Sequence, residues 1–380
     1  MIVCGRANFT NLSRYSQLNE RTYRRQYQRS FNFMKFNEEL IRQAIPPQSQ
    51  TILAVDCSFI PKSGKHTYGL DYFYNGSAAH SEKGLEISAM AVVDVTNNIS
   101  YSLSVQQTPV TQLVKTTSSS KKTEQLEMTR INDYLTQLEA TCPYLPTSVR
   151  HVVTDGFYSK IKWVDGVKQL KLEAIGKLRR DANLRYLYQG KYSRRGRPRK
   201  YAGKVDLSDY SNFELVTQLA DDVNLYTAVV WSISLKRPIR LVYLLKNSGS
   251  HASSYAVLFS TDLELDAYSI YLYYKARFQI EFLFRDGKQF TGLADCQARD
   301  LTKLDFHFNS SLTALNLAKL DAVGQHDCDT NLIFSMASYK RRALNYHLLE
   351  RFIQQLDLEP TLIKSHPNYH SLYDYGTITA

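Results

Sequence analysis

The stretch TILAVDCSFI, Thr51 to Ile60, is a short apolar run rich in branched residues, and one acid, Asp56, interrupts it. Such a run is typical of a buried β-strand. The stretch HVVTD, His151 to Asp155, repeats the arrangement, with Asp155 directly after the apolar residues. A buried carboxylate is costly unless it is paired or binds a cation. The two stretches therefore predict two strands that each carry an acid with a chemical role.

Placed on neighbouring strands, Asp56 and Asp155 can share one cation, because adjacent strands lie about 4.8 Å apart. Ligation by oxygen alone suits Mg²⁺ or Mn²⁺ rather than zinc. Sites with two such ions favour in-line displacement at phosphorus. The alternative for each aspartate is a turn or helix-cap residue, and a third acid, Glu281, favours the metal site over that alternative.

The patterns around these two strands predict a mixed α/β core. Further strands are predicted in LEISAMAVVDV, ISYSLSVQQT and LEAIGKLR, and helices in EQLEMTRINDYLTQLEAT and IKWVDGVKQL. The turn-rich stretch before LEISAMAVVDV predicts a long loop or a hairpin extension. Residues 179–264 show no helical period, and strands in NLYTAVVWSISL, IRLVYLLK and SYAVLFST predict a mostly β insertion.

Five regions follow from these patterns. In chain order they are a helical DNA-binding region that resembles a helix-turn-helix, the first part of the core, the basic β-rich insertion, a helix with the end of the core, and a C-terminal helical region. Their predicted bounds are residues 1–45, 46–178, 179–264, 265–325 and 326–380.

Composition favours a polyanionic partner such as nucleic acid, because 47 Lys and Arg against 36 Asp and Glu give a net charge of +11. A solvated basic surface is the alternative. The start of the chain has no apolar segment and no long stretch is free of charges, so we expect neither secretion nor a membrane span. The five cysteines form no C-x-x-C pair, which argues against disulfides and structural zinc and favours a cytoplasmic protein.

Two basic segments are candidate DNA contacts. The second of two short N-terminal helices carries Arg24 and Arg25, with a solvated arginine face as the alternative. The run YSRRGRPRK, residues 192–200, is densely basic and predicts contacts to the DNA backbone. Its candidate side chains are Arg194, Arg195, Arg197, Arg199 and Lys200.

The stretch YYKARFQIEFLFRDGKQF, Tyr273 to Phe290, predicts one amphipathic helix packed on the core. At 3.6 residues per turn, an acid shares one stripe with a tyrosine and three basic side chains. The stripe comprises Tyr274, Arg277, Glu281, Arg285 and Lys288. Arg277 and Glu281 are also four residues apart, so a structural ion pair is the alternative for Arg277.

This stretch reads Y-x₂-R-x₃-E-x₆-K, and it closely resembles the signature of bacterial insertion-sequence transposases of the DDE type, in the subgroup named for those letters. The resemblance implies an RNase H-like mixed-sheet core interrupted by a β insertion, with helical N- and C-terminal regions. It places two aspartates, here Asp56 and Asp155, on the first and fourth strands. It places a glutamate, here Glu281, on a helix after the insertion.

The roles implied by the resemblance are specific. Asp56, Asp155 and Glu281 would ligate two Mg²⁺ ions, for which Mn²⁺ can substitute. Arg277 and Lys288 would hold DNA phosphates near the cut, and Tyr274 would hydrogen-bond a phosphate at the transposon end.

The implied activity is cut-and-paste transposition, in which a DNA end is nicked and its 3′-OH then joins target DNA. The partners would be double-stranded DNA, both terminal inverted repeats and target, and a second copy of the chain in a homodimer that pairs two ends. A bacterial protein of this kind would be cytoplasmic and associated with the nucleoid. The alternatives are a metal-dependent nuclease with the same core that does not join DNA, and a DNA-binding protein without activity.

Overall fold

The computed structural model describes residues 5–110, 119–190, 198–219, 222–246, 254–324 and 334–378, and of residues 119–129 it describes the backbone only. The α-helices are α1 Phe9–Arg14, α2 Glu20–Gln26, α3 Phe33–Ala44, α4 Ser119–Thr141, α5 Ile161–Gln169, α6 Ala267–Ala276, α7 Gln279–Phe290, α8 Leu301–Gly324, α9 Met336–Gln355, α10 Pro360–Lys364 and α11 Tyr369–Tyr373. Within these described helices, none is long and apolar enough to cross a lipid bilayer.

Twelve described strands join into one sheet in the order β2-β3-β1-β5-β6-β12-β11-β10-β7-β8, with β4 beside β3 and β9 beside β10. Their bounds are β1 Thr51–Pro61, β2 Asp71–Asn75, β3 His80–Asp94, β4 Ile99–Gln107, β5 His151–Val153, β6 Glu173–Leu178, β7 Leu184–Leu187, β8 Tyr201–Lys204, β9 Glu214–Leu219, β10 Val223–Ser232, β11 Arg237–Lys246 and β12 Ser254–Ser260.

Both parallel and antiparallel pairs occur in this sheet. Strands β1, β3 and β4 are antiparallel neighbours, whereas β5 and β6 run parallel to β1. Strand β12 then pairs antiparallel with β6, so the strands between residues 179 and 264 extend the core sheet. A mixed sheet with helices at both ends of the chain confirms the predicted RNase H-like α/β fold class. The five region boundaries stay a prediction.

Helices cover the two faces of the sheet. Alternate residues of β1 point to opposite faces: Leu53 and Val55 join a core with α4 and α5, and Ile52 and Ala54 join a core with α6, α7 and α8. Gly287 brings α7 close to α8, because a Cβ there would stand 2.8 Å from Leu312.

Side chains of α8 take the place of a neighbouring strand along β4, which pairs only with β3 among the described strands. Asn316 accepts from the backbone N–H of Ser102 at 2.9 Å and donates to its carbonyl at 2.7 Å. Lys319 and Asn309 donate to the carbonyls of Ser100 and Val105. Open edge strands favour aggregation, so these polar side chains both satisfy the backbone and close the edge.

We predict that Asn316→Leu destabilises the fold by about 3 kcal/mol, because it leaves the buried backbone groups of Ser102 without partners. Urea unfolding followed by circular dichroism measures the change. Leu317→Asn is the control, since that neighbouring side chain is 43% exposed. Equal unfolding midpoints for the Asn316 variant and wild type would show that α8 does not support the edge.

Candidate active site

The sheet brings Asp56 and Asp155 to the same place. In the parallel pair, Leu53 lies opposite Val152 and Ala54 lies opposite Val153. The same register, continued two residues further, sets Asp56 beside Asp155. Both follow residues of the core that includes α7, so the two side chains leave the sheet on the α7 side.

The carboxylate of Asp56 is largely withdrawn from solvent, with 23% of its side chain exposed. Its Oδ1 accepts from the N–H of Cys57 at 2.8 Å. Burial raises the pKa of Asp56 to about 6, the negative charges of Asp155 and Glu281 act in the same direction, and the guanidinium of Arg277 opposes them. Asp56 therefore shares one electrostatic site with both other predicted acids.

Asp155 has a structural role as well as a candidate chemical one. It stands directly before a short 3₁₀ helix, Gly156–Tyr158, and its Oδ1 accepts from the N–H of Phe157 at 2.9 Å. The cap that the sequence left open as an alternative is therefore present. It uses one carboxylate oxygen and fixes the orientation of the group, which is compatible with a second role for the other oxygen.

The prediction of one continuous helix from Tyr273 to Phe290 is wrong. The structure ends α6 at Ala276 and begins α7 at Gln279. Between them the backbone tightens, because Phe278 donates to the carbonyl of Lys275, three residues before it, at 3.1 Å. Ile280 and Glu281 make the same kind of short-range bond, to the carbonyls of Arg277 and Phe278. The polar stripe is thus shared by two helices joined at Arg277.

Arg277, at this junction, holds two of the three acids together. Its Nη1 donates to Oδ2 of Asp56 at 3.2 Å, and its Nη2 donates to Oε1 of Glu281 at 3.1 Å. The arginine side chain is only 11% exposed, and its Nε is buried without a hydrogen-bond partner. Its guanidinium also lies 5.6 Å from the ring of Tyr274. The ion pair considered as the alternative for Arg277 is therefore formed, and Asp56 extends it.

The remaining predicted residues of α7 lie outside this cluster. Arg285 pairs with Asp286 at 2.9 Å and its guanidinium covers the ring of Phe282. Lys288 is exposed, about 10 Å along the helix from Glu281.

The two basic segments, around Arg24 and in residues 192–200, are also distant in sequence from the three acids. Arg24 pairs with Glu20 at 2.5 Å, and Arg25 is exposed on the same helix. Arg199 donates to the carbonyls of Tyr201 and Ala202, and Lys200 is exposed. The predicted contacts Arg194, Arg195 and Arg197 lie outside the described residues.

Residues behind β1 escaped the sequence analysis. Cys57 Sγ lies 3.3 Å from the hydroxyl of Tyr158, and the hydroxyl of Tyr134 donates to the buried carboxylate of Glu86 at 2.9 Å. These groups contact the strand on the face opposite Asp56 and restrain it there. The only signal in the sequence is the alternation of β1, which turns Cys57 away from Asp56.

The three carboxylates fit a hard divalent cation in their donor chemistry, because Mg²⁺ and Mn²⁺ prefer oxygen ligands. Among the described side chains, however, no group of three or more His, Cys, Asp or Glu is arranged to hold a metal ion. The guanidinium of Arg277 instead supplies the positive charge that Asp56 and Glu281 share. We therefore expect a metal at this position to displace Arg277 from at least one carboxylate.

Comparison with known proteins identifies the family of the chain. The family model described as DDE superfamily endonuclease matches residues 3–238, which is more than half of the chain. The match contains Asp56 and Asp155 and ends before α6, so the position of Glu281 rests on the structure alone. A search of curated proteins gives no match.

We predict that Arg277→Ala binds Mn²⁺ about tenfold more tightly than wild type without DNA, because no guanidinium has to leave the carboxylates. The variant should melt at a lower temperature than wild type without metal and gain more thermal stability from added Mn²⁺. Differential scanning fluorimetry across a Mn²⁺ titration measures both effects.

Arg285→Ala is the matched control, since Arg285 lies on the same helix and pairs with Asp286. An Arg277 variant that gains less from Mn²⁺ than wild type would show that the arginine helps to build the metal site.

Proposed function

The chain belongs to the DDE superfamily endonuclease family, and from that membership we propose that it is the transposase of an insertion sequence. It would cut at the ends of its element and join the freed 3′ ends to target DNA. One observation carries this proposal: Asp56, from the sheet, and Glu281, from a helix after the β insertion, meet at the guanidinium of Arg277, with Asp155 beside Asp56.

We infer that Asp56, Asp155 and Glu281 would hold two Mg²⁺ ions, and Mn²⁺ in their place. Bound Mg²⁺ would supply Lewis acidity to the attacking and leaving oxygens of a phosphodiester. Asp56 must lose its proton to ligate a cation. The cap on Asp155 and the packing behind β1 hold these ligands in place beforehand, which reduces the cost of assembling the site.

Arg277 would then change partners. Its planar guanidinium offers parallel N–H donors that match a phosphate as well as a carboxylate. Once cations neutralise Asp56 and Glu281, the guanidinium would be free to pair with a phosphate of bound DNA. Tyr274, stacked near the guanidinium, would hydrogen-bond a phosphate of the same strand, and Lys288 and Arg285 would contact the duplex further along α7.

The reaction would be cut-and-paste. Water attacks the phosphodiester at the element end and leaves a 3′-OH, which attacks the opposite strand to form a hairpin. A second water opens the hairpin, and the 3′-OH joins target DNA. Each step replaces one phosphorus–oxygen bond by another, so no external energy source is needed. A homodimer would hold the two inverted repeats together while this happens.

A nuclease without strand transfer is the second candidate. The observation in its favour is the family itself, which is described by endonuclease activity alone. Both candidates use the same acids for hydrolysis, and they differ in whether a DNA 3′-OH can replace water as the attacking group.

We predict that Asp56→Asn, Asp155→Asn and Glu281→Gln each reduce DNA cleavage by about 10³-fold, because metal-ion catalysis supplies several kcal/mol. A supercoiled plasmid that carries the element, incubated with Mg²⁺, measures nicking. Binding of each variant to the element end should remain within a few fold of wild type.

Glu139→Gln, a surface change in α4, is the control for removal of an acid elsewhere. Near-normal nicking by any one of the three variants would remove that residue from the site.

We predict that wild type joins a labelled donor with a free 3′-OH at the element end to an unlabelled target plasmid. The donor sequence is to be taken from inverted repeats sought in the DNA that flanks the gene. The label should appear in plasmid-sized DNA only with Mg²⁺ or Mn²⁺. Cleaved donor without any joined product would favour the nuclease.

A further inference from the structure

The turn-rich stretch between β1 and β3 contains a feature that the proposed function leaves unused. Strand β2 pairs with the first residues of β3, and Gly84 lies between Pro61 on one side and Asp71 on the other. Residues Asp71–Asn75 and His80–Gly84 therefore form a two-stranded extension of the sheet beyond β1. We call it the tyrosine ribbon.

Its two faces differ in burial. Phe73 is 2% exposed, and the guanidinium of Arg130 lies 5.3 Å from its ring. Tyr72 and Tyr74, which alternate with Phe73, are 65% and 58% exposed. Two large aromatic rings thus stand in solvent, side by side on one face, about 7 Å apart along the strand.

The two faces also differ in charge. Lys83 lies opposite Tyr72, and Ser81 lies opposite Tyr74, so a lysine and a serine share the open face with the rings. The acids of the ribbon, Asp71 and Glu82, alternate to the other face, where Glu82 accepts from Asn75 at 2.8 Å. The open face therefore combines aromatic rings with positive charge and has no acid of the ribbon on it.

This open face continues the surface that carries the candidate active site. Leu85, Ile87 and Ala89 of β3 belong to the core with α7, and Lys83 follows in the same alternation. Asp56 lies opposite Ala89. Lys83 is six residues from Ala89 along β3 and Ser81 is eight, so Tyr72 and Tyr74 stand about 20 and about 27 Å along the sheet from Asp56.

The segment that leads into the ribbon is fixed on both sides. The N–H of Tyr68 donates to the carbonyl of Arg299 at 2.8 Å, and its own carbonyl accepts from Gln107 at 3.0 Å. Gly69 then turns with a φ of +68°, and a Cβ there would collide with Gln107. These contacts hold the segment before the tyrosine ribbon in place. A ribbon that is already ordered loses less conformational entropy when it binds a ligand.

From this surface we propose that the open face of the tyrosine ribbon binds unpaired DNA by stacking bases on Tyr72 and Tyr74, with Lys83 contacting a phosphate. Double-stranded DNA matches this surface less well. A two-stranded β-ribbon can enter a major groove, but in this ribbon the Phe73 face is packed against the protein and only the other face is free to contact DNA. Flat aromatic rings beside a lysine are instead the pattern of single-strand binding. This inference rests on the proposed function, because it takes DNA as the substrate.

Such a surface would receive a strand that has separated from its partner near the cut end. Holding that strand would keep the broken end on the enzyme between successive reactions. The role is binding and positioning, without contact to the reacting atoms.

Fluorescence anisotropy with a labelled 20-nucleotide single strand, in EDTA, tests the proposal without any cleavage. The double variant Tyr72→Ala/Tyr74→Ala should raise the Kd for the single strand at least about tenfold, since each stacked base contributes strongly. Tyr72→Phe/Tyr74→Phe keeps the rings and should bind within about twofold of wild type. Tyr375→Ala removes a tyrosine that is 76% exposed outside the ribbon and should have no effect.

Unchanged single-strand binding by the double alanine variant would overturn the proposal. An equal loss in the phenylalanine variant would overturn stacking, because it would assign the binding to the hydroxyls. An equal loss for a duplex of the same sequence would overturn the preference for unpaired DNA. Cleavage in Mg²⁺ is measured separately, so failure of the ribbon and failure of the nuclease assignment are distinguishable.

Discussion

Parallel pairing of β1 with β5 is the constraint on which the candidate site depends. These strands are far apart in the sequence, and their register alone decides that Asp56 stands beside Asp155. A slip of one residue in β1 would turn Asp56 into the core on the opposite face. Packing on both faces prevents that slip, because Leu53 and Ala54 are each fully buried against different helices.

A second constraint is the distribution of charge at this edge of the sheet. Burial raises the pKa of Asp56, and repulsion from the carboxylates of Asp155 and Glu281 adds to that effect. Arg277 relieves part of that repulsion through two charged hydrogen bonds. We propose that divalent cations replace this guanidinium, so that metal ions and Arg277 would compete for the same carboxylates. On this proposal, binding of metal and release of the arginine would occur together.

Local patterns were enough to predict the strands around Asp56 and Asp155, because short runs of branched apolar residues bounded by turn residues are typical of buried strands. The break at Arg277 was not predictable, since it arises from a change of backbone hydrogen bonds within three residues of a helical sequence. Contact between Arg277 and Asp56 joins positions far apart in the chain, and no local pattern reports it. The tyrosine ribbon was anticipated only as a hairpin extension. Which of its faces is open depends on packing by Arg130 of α4.

We propose that Asp56, Asp155 and Glu281 form one metal site that Arg277 occupies in the absence of metal. Crystals of the protein soaked in Mn²⁺ test it most directly, through the anomalous scattering of manganese. We predict two anomalous peaks, each within about 2.5 Å of carboxylate oxygens and together contacting all three acids, with Arg277 moved away from at least one carboxylate. A structure with Arg277 still bonded to both Asp56 and Glu281, and manganese absent from these acids at saturating concentration, would contradict it.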